Sequence, residues 1–226
     1  MIHVLLPTLD TPGALARVLA ELPRELPAIV VDDGSRVPVR SDRPLTTVIR
    51  HEVNRGYGAA QKSGFAEALA AGATGVVMLH GDGQYETAAT LALADALADA
   101  DVVLGSRFLV DPRVIPGWRR LGNRALTGFA NLRFGTSFTE LHTGARAYSA
   151  SALRRVPFAD FSDDFVFDQQ MLVAAIAAGL HLVERPVGTR YDDTTRSISL
   201  VRSVEYGLGC VAAIVRGGGP RARRGR

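Results

Sequence analysis

The run Gly75-Val76-Val77-Met78-Leu79-His80-Gly81-Asp82-Gly83-Gln84-Tyr85 decides how the chain is read. Residues 76–79 are all apolar and predict a short buried strand. The run then turns polar and glycine-rich. If the chain stays extended, side chains two apart share a side. His80, Asp82 and Gln84 are then expected to point the same way, with Gly81 and Gly83 keeping the other side clear. Asp82 and Gln84 offer hard oxygens to Mg²⁺ or Mn²⁺, and the His80 imidazole tilts the set towards Mn²⁺. Such an ion can clamp a diphosphate and take up charge on a leaving phosphate. The competing reading is a polar turn in which Asp82 caps a helix starting near residue 87.

Outward from this run, strands alternate with helices. Strands are expected over 2–6, 28–31, 46–50, 76–79 and 102–105. Helices are expected from 12 or 13 to 22, from the glycine turn at 54–58 to about 71, and over 88–97. That alternation predicts a parallel sheet covered on both faces. Pro7 is expected to end the first strand. The second half is less regular: a helix over 119–134, a short strand within 143–148, a helix over 168–178, a strand over 181–187 and a last helix over 203–215. With neither repeat nor linker, residues 1–215 read as one α/β domain. Residues 216–226, rich in glycine and arginine, read as a disordered basic tail.

The 226 residues suffice for one domain with a real core. Cys210 is the only cysteine, so an internal disulfide and a Cys-based zinc site are excluded. The apolar start is cut short by Pro7 and Asp10 and does not read as a targeting signal, so the default location is cytoplasmic. The formal charge is +3, yet the last eleven residues hold five arginines and no acid. The basicity therefore lies in the tail, and no basic-aromatic platform for nucleic acid is evident. The apolar run 207–215 is about half a membrane span. With the tail it can lie peripherally on an anionic membrane face, or it can serve as a core helix.

Four further constellations carry chemistry. Asp32 and Asp33, before Gly34 and Ser35, place paired carboxylates at a strand's C-terminal end, where ribose or base donors are met. Asn54-Arg55-Gly56-Tyr57-Gly58 can offer backbone N–H groups, Gly58 included, to a ligand. Arg107, Arg119, Arg120 and Arg124 suit phosphate. Asp164 and Asp168, four apart, are expected on one helix face, where like charges can raise a pKa and make a base.

In chain order, Val30-Val31-Asp32-Asp33-Gly34-Ser35, Asn54–Gly58, His80–Tyr85, Gly105-Ser106-Arg107-Phe108, Thr143-Gly144-Ala145-Arg146-Ala147-Tyr148 and Phe165-Val166-Phe167-Asp168 resemble family 2 glycosyltransferases. The similarity is greatest to dolichol- and polyprenyl-phosphate mannosyl- and glucosyltransferases. The resemblance covers about residues 2 to 206 and implies a GT-A fold, with a Rossmann-like, mostly parallel central sheet. It places Pro7, Thr8, Asp10 and Asp33 at the nucleotide, and Asp82 and Gln84 on a metal beside the sugar diphosphate. Arg107, Arg120 and Arg124 fall at a lipid phosphate, with Glu140 and Arg146 flanking the acceptor. Asp168 falls near the reacting sugar, and Arg190, Arg196 and Ser197 in a loop closing over the donor. Three positions depart from the pattern: His80 stands where the family has Asp, Asp10-Thr11 where it has Asn-Glu, and Thr143-Gly144-Ala145 where it has Ser-Gly-Phe.

The expected activity is inverting sugar transfer from a GDP- or UDP-sugar to a polyprenyl or dolichyl phosphate, with Asp168, Asp164 and Asp82 as the catalytic carboxylates. Transfer to a hydroxyl in glycan or cell-envelope synthesis is the first alternative. A silent nucleotide-sugar-binding module, raised by His80, is the second. Base, sugar and oligomeric state stay open.

Overall fold

The structure is a computed structural model and describes residues 1–189 and 200–217. Seven strands form one sheet: β1 (Ile2–Thr8), β2 (Ala28–Asp32), β3 (Thr46–Arg50), β4 (Gly75–Met78), β5 (Val102–Ser106), β6 (Arg146–Ser149) and β7 (Leu182–Pro186). Their order is β3-β2-β1-β4-β6-β5-β7. All neighbours are parallel except β6, which runs antiparallel to both β4 and β5. The helices are α1 (Pro12–Glu21), α2 (Tyr57–Ala70), α3 (Thr87–Leu91), α4 (Gly117–Phe134), α5 (Ala150–Arg155), α6 (Phe167–Ala177) and α7 (Leu200–Arg216).

Strand alternation sorts the core into two layers, one per face of the sheet. Leu5, Ile29, Val31 and Met78 point to one side and pack with Phe65, Phe167 and Leu172. Val4, Leu6, Val30 and Val77 point to the other and pack with Leu15, Val18 and Leu93. The expected α/β architecture with helices on both faces is therefore present.

Two local expectations fail for identifiable reasons. Pro7 does not end β1, which continues to Thr8. Pairing with β4 stops at Leu5, and the Pro7 carbonyl on that side accepts Gly81 N–H at 3.1 Å. The missing proline N–H faces that side as well, so the β1–β2 ladder, which runs on to Thr8, loses no bond. The helix expected over 88–97 is α-helical only to Leu91 and tightens to a 3-10 helix over Ala92–Ala98. The Thr90 hydroxyl donates back to the Glu86 carbonyl at 2.9 Å, a bond that competes with regular helix geometry.

Helix α2 sets the floor of the sheet's C-terminal edge. Its first turn is capped by another segment's backbone: Gly58 and Ala59 N–H both donate to Asp163 O, at 2.7 and 3.2 Å. That approach needs a glycine, since a Cβ on Gly58 would sit 2.4 Å from Ser162 O. Gly58→Ala gains about 1 kcal/mol of helix propensity but meets an overpacking cost of roughly 1–3 kcal/mol against backbone that cannot rotate away. Gly128→Ala, in α4 where a Cβ meets nothing within 4 Å, carries the gain alone. Chemical denaturation should show a lower midpoint for Gly58→Ala and an unchanged or higher one for Gly128→Ala.

Candidate active site

The C-terminal ends of β1, β2, β4 and β5 bring most of the expected residues to one rim, but many are already spent. Asp32 is fully buried. Its Oδ1 accepts Ser35 N–H at 2.9 Å, and its Oδ2 accepts Val39 N–H at 3.0 Å and the Arg50 guanidinium. Burial pushes its pKa up, but these hydrogen bonds outweigh that and hold it below the usual carboxylate range. Asp33 is likewise consumed. Oδ1 meets His51 Nδ1 at 2.6 Å and Arg55 N–H at 2.9 Å, and Oδ2 accepts Gly56 N–H at 2.9 Å. The far side of His51 reaches Ser63 Oγ on α2 at 2.9 Å. The expectation that these carboxylates lie open to ribose is corrected: they brace the loops that frame the rim. Gly58 is corrected with them, because its N–H serves Asp163.

At the end of β1, Thr8 is buried against Gly81, and its hydroxyl meets Thr11 Oγ1 at 2.8 Å. Asp10 takes φ +55, and its carboxylate accepts Arg36 N–H at 2.9 Å and Nε at 3.2 Å. A positive φ is tolerated by Asp better than by most residues, and here it turns the carboxylate onto the 34–36 loop.

After β4 the chain does not stay extended. Gly83 has φ +72, its N–H donates to His80 O at 3.3 Å, and Gln84 N–H donates to Asp82 Oδ1 at 3.0 Å. The two-residue alternation expected of His80, Asp82 and Gln84 is therefore lost. His80 packs over Gly144, where a Cβ would fall 2.2 Å from its Nε2. Tyr57 OH lies 3.0 Å from that Nε2 and donates to Asp168 Oδ2 at 3.2 Å. Burial, then the nearby Asp168 carboxylate, push the Tyr57 pKa well up, so the phenol keeps its proton. One phenolic hydrogen cannot serve both neighbours. With it on Asp168, His80 Nε2 donates to the Tyr57 oxygen, which leaves Nδ1 as the nitrogen with a free lone pair. Among the described residues no three His, Cys, Asp or Glu side chains gather to hold an ion. Exposed Asp82 remains, a single carboxylate of the kind that holds Mg²⁺ or Mn²⁺ together with substrate phosphates.

Asp168 opens α6 and is buried. Gln61 Nε2 donates to its Oδ1 at 2.8 Å, and Arg146 donates to its backbone carbonyl at 2.7 Å. The expected pairing with Asp164 does not form, because α6 begins at Phe167 and leaves Asp164 exposed in the preceding turn. Sequence reasoning missed Tyr57 and Gln61 as Asp168's partners; their four-residue spacing at the start of α2 was the available signal.

The expected acceptor cluster divides. Glu140 is fully buried and accepts from Arg107 N–H (2.7 Å), Arg107 Nε (2.9 Å) and Asn123 Nδ2 (2.8 Å). Arg146 is buried and gives its three nitrogens to the carbonyls of Thr143, Leu141 and Asp168. Arg107, Glu140 and Arg146 are thus internal struts rather than an open phosphate cradle. Arg120, half-buried, makes a long contact to Pro112 O at 3.4 Å, and Arg124 is exposed with its guanidinium 5.4 Å from the Phe108 ring. Arg190, Arg196 and Ser197 lie outside the described residues. Thr189, just before them, bridges to Tyr85 beside the Asp82 turn.

The mostly parallel α/β sheet carries exposed Asp82 on the glycine turn after β4 and clamped Asp168 at the start of α6, and its architecture is that of the GT-A fold. The chain belongs to glycosyl transferase family 2, whose sequence model matches residues 4–157. It is 26% identical to undecaprenyl-phosphate mannosyltransferase of Micrococcus luteus over 196 residues, 81% of each chain. It is 27% identical over 150 residues to UDP-N-acetylglucosamine–dolichyl-phosphate N-acetylglucosaminyltransferase of Methanococcus voltae, covering 64% of this chain and 59% of that one. Its fold matches glucosyl-3-phosphoglycerate synthase of Mycobacterium tuberculosis, solved with Mn²⁺, uridine diphosphate and glucosyl-3-phosphoglycerate. The TM-score is 0.70 at 18% identity, covering 98% of this chain and 81% of that one.

His142, between Glu140 and Gly144, offers a pH test of this packing. Its Nδ1 meets Tyr206 OH at 2.9 Å, and its Nε2 is buried without a partner. Burial, then the cationic Arg146 and Arg107, push its pKa down to about 3. The unfolded chain therefore binds a proton that the folded chain refuses between about pH 6.5 and 3, and stability falls as pH drops through that window. His142→Gln should flatten the pH dependence of the denaturation midpoint there.

Proposed function

We propose that this enzyme moves a sugar, with inversion, from a GDP- or UDP-sugar to a polyprenyl or dolichyl phosphate. The relationship to a polyprenyl-phosphate transferase over four-fifths of both chains supports the acceptor class. The observation that carries the reading is the setting of Asp168. Both its oxygens accept from neutral donors, Gln61 and Tyr57, which hold the carboxylate in one orientation, while His80 reaches it only through the Tyr57 hydroxyl. Such a carboxylate suits gripping a sugar hydroxyl. A phosphate acceptor is already anionic at neutral pH, so its oxygen attacks the anomeric carbon without a general base. The bond from that carbon to the diphosphate breaks, and the nucleoside diphosphate departs with the electron pair.

Asp82 would hold a divalent ion, with Gln84 Oε1 offering a second oxygen from the same turn. When bound, the ion neutralises charge on the leaving diphosphate. Tyr57 fixes the rotamer of Asp168 and orients His80. Arg120 and Arg124 supply the cationic contact for the acceptor phosphate. The roles of Arg107, Glu140 and Arg146 become indirect: they hold the segments that carry those groups.

A screen of UDP- and GDP-sugars against a short-chain prenyl phosphate, with Mn²⁺ or Mg²⁺, tests the reading. A glycosyl prenyl phosphate product is expected; transfer confined to hydroxyl acceptors would refute it. Asp168→Asn sharpens the test. As a sugar-binding group, its loss should raise the donor KM and leave kcat within about tenfold. As a base for a hydroxyl acceptor, its loss would lower kcat by about 10²–10⁴-fold.

A further inference from the structure

Eight large apolar side chains stand exposed on α4 and α7. On α4, Trp118, Leu121, Phe129 and Leu132 recur at helical spacing, with Leu121 72% and Leu132 86% exposed. They stand opposite that helix's buried residues Asn123, Thr127 and Ala130. On α7, Val204, Leu208, Val211 and Val215 form a second stripe, with Leu208 67% exposed, while Cys210, Ala213 and Ile214 are buried beneath. The two helices pack against each other. Arg124 and Arg133 on α4 and Arg216 at the end of α7 border the stripes, against one acid on the two helices, Glu205.

Two exposed apolar stripes on neighbouring helices are more than scattered surface residues. We propose that the outward faces of α4 and α7 together form a docking surface for an anionic lipid leaflet. The apolar side chains enter the headgroup–acyl boundary while the flanking arginines meet lipid phosphates. Neither helix could span a bilayer: none among the described residues is long and apolar enough. A second copy of this chain is a poorer occupant. A two-fold interface would set the same arginines against their own copies with little acid to offset them. As the partner of a lipid-acceptor site the surface rests on the proposed reaction. Its lipid affinity is measured without donor or acceptor, so the two readings fail separately.

Co-sedimentation of the full chain with phosphatidylcholine vesicles, with and without phosphatidylglycerol, tests it. Binding is expected to the anionic vesicles and to weaken at high salt. The exposed-site variants Leu121→Glu/Leu132→Glu on α4 and Leu208→Glu on α7, checked for an unchanged thermal midpoint, should each weaken binding by about ten- to a hundredfold. A chain ending at residue 215 should keep most of its affinity. The proposal is overturned if the full chain stays in the supernatant at all lipid concentrations, if the variants bind as well as the parent, or if truncation alone abolishes binding. Sedimentation velocity without lipid gives the remaining outcome: a dimer that these substitutions dissociate would assign the surface to a second copy instead.

Discussion

The buried carboxylate of Asp33 is the constraint on which the site depends. A charge taken out of water costs several kcal/mol unless it is met by donors, and Asp33 meets His51, Arg55 N–H and Gly56 N–H. Those donors come from the chain just beyond β3 and from the turn entering α2. Ending β2 with this side chain therefore fixes where α2 begins. Gly56, at φ +106, makes the turn, and Asp163 O completes it by capping Gly58 and Ala59. Tyr57 stands between these two anchors. Its hydroxyl is delivered to His80 from β4's end and to Asp168 from α6's start. Asp33 need not touch substrate to decide the geometry of the residues placed to do so.

The same logic separates charged residues that serve the fold from those left for chemistry. The carboxylates of Asp32 and Glu140, met by Arg50 and Arg107, and the Arg146 guanidinium, met by three carbonyls, are buried and matched. Removing one partner of such a set leaves the other uncompensated, which is more damaging than losing the contact itself. Asp82 differs, because its observed bond is a local one to Gln84 N–H and its side chain is exposed.

Much of the architecture could be read from the chain. Apolar runs such as 28–31 and 76–79 marked central strands because both faces of this sheet are covered. The insertion of β6, antiparallel, between β4 and β5 could not be read, since four residues of a strand carry no label for their partners. The rim was legible for a related reason: polar residues closing an apolar run must sit where a strand emerges. Whether those groups remain available was not legible. The partners of Asp33, Asp168 and Glu140 lie from 17 to 111 residues away in sequence. Hydrogen-bond satisfaction is a property of the packed chain rather than of a motif.

The buried struts also orient the outer helices. Asn123 donates to Glu140 and so turns the inner face of α4 towards β5 and the segment leading to β6. The hydroxyl of Tyr206 on α7 reaches His142, two residues further along that segment. Both helices are thus tied to the stretch that ends in Arg146, which in turn holds the backbone of Asp168. With their polar contacts satisfied inward, the apolar stripes have no choice but to face out. The direction in which α4 and α7 present them is set by the same residues that hold Asp168 in place.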